Sequence, residues 1–251
     1  MPEYHIHLAG SPDFWSESRH RRQPATRKKA LVVVEGLVTE SIYFENLVSL
    51  LKEYGIDLEI LPDRILRKNQ GEWPSDPVSA VNTCAAKRNQ VNAEITAKGA
   101  AADISPYDYA FAVVDLDRNL EEGSSLGAAF PNKMEEAIDA ATRQGIELLV
   151  SNPRFEFWLL CHLPATELEN IKPKLQRKAR GMRKLCQEHG LITKRVPNSQ
   201  LVNYQEACDN ATRFGTVVSC TVGSHPSTAI PRLFETLGLI NVGWLTGQRR
   251  G

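Results

Sequence analysis

Apolar residues fall along this chain in two patterns, unbroken runs and helical spacing. Ala30–Glu35 (ALVVVE) is an unbroken, β-branched run closed by Gly36. A run without alternation suits a strand covered on both faces, as in a parallel sheet. Thr39–Leu51 follows with Tyr43, Leu47 and Leu50 at helical spacing and Thr39 placed to cap the helix. Leu58–Leu61 predicts a second short strand and Trp73-Pro74 a loop. Asp76-Pro77 predicts the N-cap and first position of a long helix ending near Lys98. Asp108–Val114 is the next buried strand, ending at Asp115. Glu122–Ala128 reads as a loop and Pro131–Gln144 as a helix closed by Gly145. Ile146–Val150 is a further strand, and Pro153 opens a helix through FEFWLLCHL. Strands alternating with helices predict an α/β fold with a mostly parallel sheet flanked by helices.

This pattern divides the chain in three. Residues 1–27 mix Pro, Ser, His and Arg without periodicity and are expected to form a basic, weakly ordered arm. Residues 28–163 form the α/β core. Residues 164–251 form a mainly helical region packed on it, with Thr216–Val222 as its one convincing strand candidate. There is no internal repeat and no low-complexity tract.

Composition narrows the possibilities. The 251 residues hold 30 basic and 30 acidic side chains, so total charge implies no nucleic-acid partner; only its distribution could. Five scattered cysteines argue for a reducing compartment and against a disulfide framework. The N-terminal residues lack the apolar run of a secretory signal, and the longest apolar runs are too short to span a membrane. A cytoplasmic, membrane-free protein is expected. Cys161-His162, and Cys186 with His189, are imaginable zinc ligands, but a buried structural cysteine is the commoner role.

The candidate chemistry lies at strand ends. Glu35 falls where a buried strand gives way to a helix, and open α/β sheets bind ligands just outside such carboxyl ends. Asp115 and Asp117 are two apart in extended chain, so both carboxylates face one way and Leu116 the other. Anions so close repel unless a cation or proton lies between them. Magnesium, held by a few carboxylates plus waters, is the expected ion, with manganese as a substitute. Asp115 and Asp117 are the expected ligands, and Glu35 either shares the ion as a third ligand or acts as general base or acid. Glu40 and Glu156 rank second, as candidates for a further metal or the surroundings of the first. Asn152 is placed to cap the helix after Pro153 and to offer N–H groups to a phosphate. Phe155, Phe157 and Trp158 are expected to pack rather than stack on bases. Between Lys172 and Arg195, nine basic residues accompany one acid, Glu188. Lys172, Lys174, Arg177, Lys178 and Arg180 are the expected phosphate-backbone contacts. No phosphate loop and no dinucleotide fingerprint is present.

Four segments together resemble the RloB-like proteins: VVVEG with TESIYF (Val32–Phe44), VVDLDR (Val113–Arg118), SNPRFEFWLLCHL (Ser151–Leu163), and Ser224-His225-Pro226-Ser227-Thr228 followed by Leu233 and Leu237. The resemblance runs from about Lys28 to Leu239. It departs from the family's usual text at Leu37-Val38 and Arg154. It implies a Toprim-type, Rossmann-like domain, which uses a glutamate after its first strand and an Asp-x-Asp after a later one, with magnesium. Those positions fall on Glu35, Asp115 and Asp117. It further implies a metal-dependent nuclease of anti-phage defence and abortive infection, with RNA such as tRNA favoured over DNA. An AAA/ABC-type ATPase is the implied partner; self-association is left open. The alternatives are a non-catalytic Toprim regulatory or nucleic-acid-binding subunit, and a DNA nickase. Strand passage would need a tyrosine nucleophile, and no tyrosine here stands in a recognisable context.

Overall fold

The computed structural model describes residues 27–36, 38–62, 74, 76–99, 104–116, 130–176 and 181–240. Asp117, Arg177, Lys178, Arg180, Trp73, the Glu122–Ala128 loop and nearly all of the N-terminal arm lie outside the described residues.

The apolar run of the first strand becomes β1 (Lys28–Val34), fully buried from Ala30 onward. It leads through α1 (Thr39–Glu53) to β2 (Ile56–Leu61), then through α2 (Pro77–Lys98) to β3 (Tyr109–Asp115). From there α3 (Phe130–Gln144) returns the chain to β4 (Glu147–Asn152). Asp76 caps α2 as the sequence predicts: its side chain accepts from the Ser79 N–H, and the Ser79 hydroxyl faces back to the cap. Gly145 closes α3 at φ 62°, a conformation that costs glycine little. The remaining elements are α4 (Glu156–Leu160), α5 (Ala165–Leu175), α6 (Met182–Glu188), β5 (Ile192–Thr193), β6 (Val196–Pro197), α7 (Tyr204–Thr212), β7 (Ser227–Thr228) and α8 (Pro231–Thr236).

Among the described residues, five strands form one sheet in the order β2-β1-β3-β4-β7. The first four run parallel, and β7 is antiparallel to β4. The fold is therefore α/β with a Rossmann-like arrangement. Alternate residues of the strands feed two apolar layers. Val32, Val34, Phe111 and Val113 meet α1 and the C-terminal helices on one face. Leu31, Val33, Ala112 and Val114 meet α2 and α3 on the other. The connections leaving β1 and β3 thus carry their helices to opposite faces. Strand order reverses between these two neighbours, which opens a crevice at their carboxyl ends. No helix among the described residues is long and apolar enough to cross a membrane.

Three local expectations are corrected. Thr39 does not cap α1: Val38 occupies that position without a side-chain bond, and the Thr39 hydroxyl donates to the Arg195 carbonyl instead. The helix expected from Pro153 starts only at Glu156. Thr216–Val222 is not a strand. Cys220 turns left-handed at φ 57° and Val218 is 49% exposed, so this β-branched segment meets β4 at only isolated points and the short β7 takes the pairing.

Candidate metal-binding carboxylate site

β1 and β3 end side by side, and each delivers a carboxylate to the crevice. Glu35 follows β1, with its main-chain N–H donating to the Val113 carbonyl at 3.0 Å. Its side chain bends back across the strand ends: Oε2 accepts the main-chain N–H of Asp115 at 3.4 Å. Both residues are buried, at 2% and 8% exposure. Leu116 packs toward the α2–α3 layer, so Asp115 faces the opposite side, toward α1 and α4. Asp115 Oδ1 accepts the Phe155 N–H at 2.8 Å. One main-chain N–H group at the start of this helix is therefore committed to the aspartate. Asn152, expected as a helix cap, donates through Nδ2 to the Gly223 carbonyl at 2.8 Å.

Glu40 enters from the first turn of α1. Its carboxylate fills the space over Gly36 so closely that a Cβ there would collide with it. Glycine at this position is a steric requirement of the close approach. The Gly36 carbonyl accepts the Ser41 hydroxyl at 3.2 Å, which fixes the turn. Glu156 opens α4, is also buried, and carries a counter-charge. Arg183 of α6 donates to its Oε1 through Nε at 2.9 Å and Nη2 at 2.8 Å.

Four carboxylates therefore crowd one end of the sheet. Burial holds the Asp115 carboxyl well above the usual carboxylate range, and the charges of Glu40, Glu156 and Glu35 push it further up; the Phe155 N–H opposes them. The donors are all carboxylate oxygens, a set that fits a hard divalent cation such as magnesium or manganese. Among the described residues no group of three or more His, Cys, Asp or Glu side chains is already spaced to hold a metal ion, and Asp117 lies outside those residues.

The sequence reading missed Arg183 as the partner of Glu156; an arginine in a basic tract gives no sign of pointing inward. It also missed the fifth strand. Ser227 and Thr228 form β7 beside the end of β4, where the Thr228 hydroxyl lies 3.0 Å from that of Ser151. The basic tract is divided. Lys172 pairs with Glu169 at 3.3 Å and lies over the Phe214 ring, whereas Lys174 is exposed at the end of α5. The aromatics behave as expected: Phe155, Phe157 and Trp158 are buried, with Trp158 stacked on Phe234. All five cysteines are free, and Cys161 and Cys186 are buried core residues. His162 lies 3.2 Å from the Tyr43 hydroxyl and His189 3.2 Å from Glu167.

The model of the RloB-like protein family matches residues 30–237. No curated protein and no solved structure matches the chain. The matched span runs from Ala30 within β1 to just past α8, including Glu35, Asp115 and Glu156, and on that match the chain belongs to the RloB-like protein family.

Proposed function

We propose that this protein is a magnesium-dependent phosphodiesterase that cleaves nucleic acid, with RNA such as tRNA favoured over DNA, as an effector of anti-phage defence. The observation that carries this reading is Asp115, buried among Glu35, Glu40 and Glu156 at the crevice between β1 and β3. A polar cluster of one sign in a water-poor site is stable when protonated or when a cation joins it. Glu35, Asp115 and Asp117 would hold that cation as a Toprim-type set. When bound, it would polarise a phosphoryl oxygen and acidify an attacking water.

The chain's own groups prepare the site. The Phe155 N–H orients the Asp115 carboxylate, and Glu35 ties the ends of β1 and β3 together. Glu40, wedged over Gly36, is the best placed of the remaining carboxylates to take a proton from a nucleophile. Arg183 neutralises Glu156, so this fourth carboxylate orders the rim of the site rather than adding its full charge. Lys172, Lys174, Arg177, Lys178 and Arg180 would contact the phosphate backbone. The sequence has no nucleotide-binding motif of its own, so activation is assigned to an AAA/ABC-type ATPase partner.

The test is incubation of the purified protein with total RNA and with plasmid DNA, with magnesium and with chelator. Metal-dependent RNA cleavage that Glu35→Gln and Asp115→Asn abolish supports the reading. Cleavage by either variant at the wild-type rate overturns the mechanism. Metal binding without cleavage of any substrate favours a regulatory subunit, and DNA nicking alone favours the nickase.

A further inference from the structure

We propose that the β5–β6 hairpin is a phosphate-backbone clamp, with Lys194 and Arg195 at its tip as the contact residues. The proposal rests on the nuclease reading above and extends it to a surface outside the carboxylate site. The hairpin pairs Ile192 with Pro197 and Thr193 with Val196, leaving Lys194-Arg195 as the turn. Both tip residues are exposed. Among the described residues neither side chain has an ion-pair partner, whereas Lys172, Arg183 and Lys184 are each paired with a glutamate.

The tip is held from two sides, and both holders also carry site residues. The Arg195 carbonyl accepts the Thr39 hydroxyl at 3.1 Å, and Thr39 immediately precedes Glu40 on α1. The Lys194 carbonyl accepts Gln187 Nε2 at 3.3 Å from α6, the helix whose Arg183 reaches Glu156. Lys194 itself is left-handed, at φ 60°, a conformation lysine seldom adopts unless its surroundings impose it. Main-chain anchoring of this kind leaves both cationic side chains unspent and holds their backbone against the elements that carry Glu40 and Arg183. A polyanion would need cations there, because the carboxylates alone would repel it. Exposed lysine and arginine on a rigid turn contact phosphate without reading sequence, so the occupant is the sugar–phosphate backbone of a polynucleotide strand.

The test uses the full chain in chelator, so that nothing is cut, and fluorescence anisotropy of a short fluorescein-labelled single-stranded RNA across a salt series. The variant is Lys194→Asn with Arg195→Gln: asparagine tolerates the left-handed backbone, and both main-chain carbonyls stay in place. Its affinity is expected to fall roughly tenfold, and the slope of log K against log salt to become shallower by about 1.4, the loss of two single-strand phosphate contacts. Lys184→Gln, exposed and paired with Glu188, should bind as wild type. Equal binding by wild type and double variant overturns the clamp and leaves the nuclease reading intact. An equal loss in Lys184→Gln overturns it too, since the effect would then follow net charge rather than place. A wild type that neither binds nor cuts RNA overturns both readings.

Discussion

Asp115 donates its main-chain N–H to the carboxylate of Glu35 across the gap between two neighbouring strands. The residue at the end of β1 thus stabilises the end of β3 while adding its charge to the Asp115 carboxyl.

Removing the charge of Asp115 should separate stability from function. Asp115→Asn is expected to fold at least as stably as wild type in chelator, because a buried like-charge contact is relieved. Wild type should gain roughly 5–10 °C in melting temperature at magnesium concentrations of about one hundred times Kd, and the variant should gain little. Differential scanning fluorimetry with and without magnesium reads both effects.

Arg183→Met should be costly for a different reason: it leaves Glu156, 4% exposed, without its counter-charge. The arginine side chain is 42% exposed, so water screens the pair and the expected loss is about 2 kcal/mol, below the ~3–5 kcal/mol of a fully buried pair. Adding Glu156→Gln should recover part of it. Urea titration of the single and double variants gives the coupling directly.

Gly36→Ala tests the placement of Glu40. The new methyl group would occupy the space of a flexible carboxylate rather than of backbone, so stability should change by about 1 kcal/mol or less. Glu40 must swing away, and any activity that depends on its position should fall about as far as in Glu40→Gln. Full activity in Gly36→Ala would remove Glu40 from the mechanism.

His162 gives the fold a pH dependence with a definite sign. Burial lowers its pKa to about 3, so it is neutral in the folded state while the unfolded chain titrates near the ordinary value of about 6.5. Between those values the unfolded state binds more protons. Stability should therefore rise with pH through this window and be lost as pH falls, by at most about 1.4 kcal/mol per pH unit from this group. His162→Leu should flatten the slope between pH 6 and 4 by about one proton. Chemical denaturation across that range checks it.

The alternation of buried strands and amphipathic helices was legible because each element satisfies itself locally. ALVVV has no polar face to offer water, and Asp76 with Ser79 closes its own helix end. The placement of Glu35 and Asp115 at strand ends was legible for a related reason: a charged residue terminating an apolar strand has few places to go. What escaped prediction depends on partners distant in sequence. Thr39 has the chemistry of a cap, yet its hydroxyl serves a carbonyl far along the chain. Asn152 has the chemistry of a cap for α4, yet its amide donates to the Gly223 carbonyl. Thr216–Val222 has strand-forming residues but lacks an aligned neighbour, and pairing, not propensity, makes a strand.

The C-terminal half also bears on how freely this architecture could be rearranged. Tyr204 stacks on Phe234 at 4.5 Å, Phe234 stacks on Trp158, and Trp158 lies two residues past the start of the helix that follows Phe155. The segments that carry Tyr204 and Phe234 are thus the foundation beneath the N–H group that orients Asp115. A lineage could lengthen the surface loops of this protein with little penalty, but it could not trade away the region after Leu163 as a detachable module without rebuilding the floor of its acidic crevice.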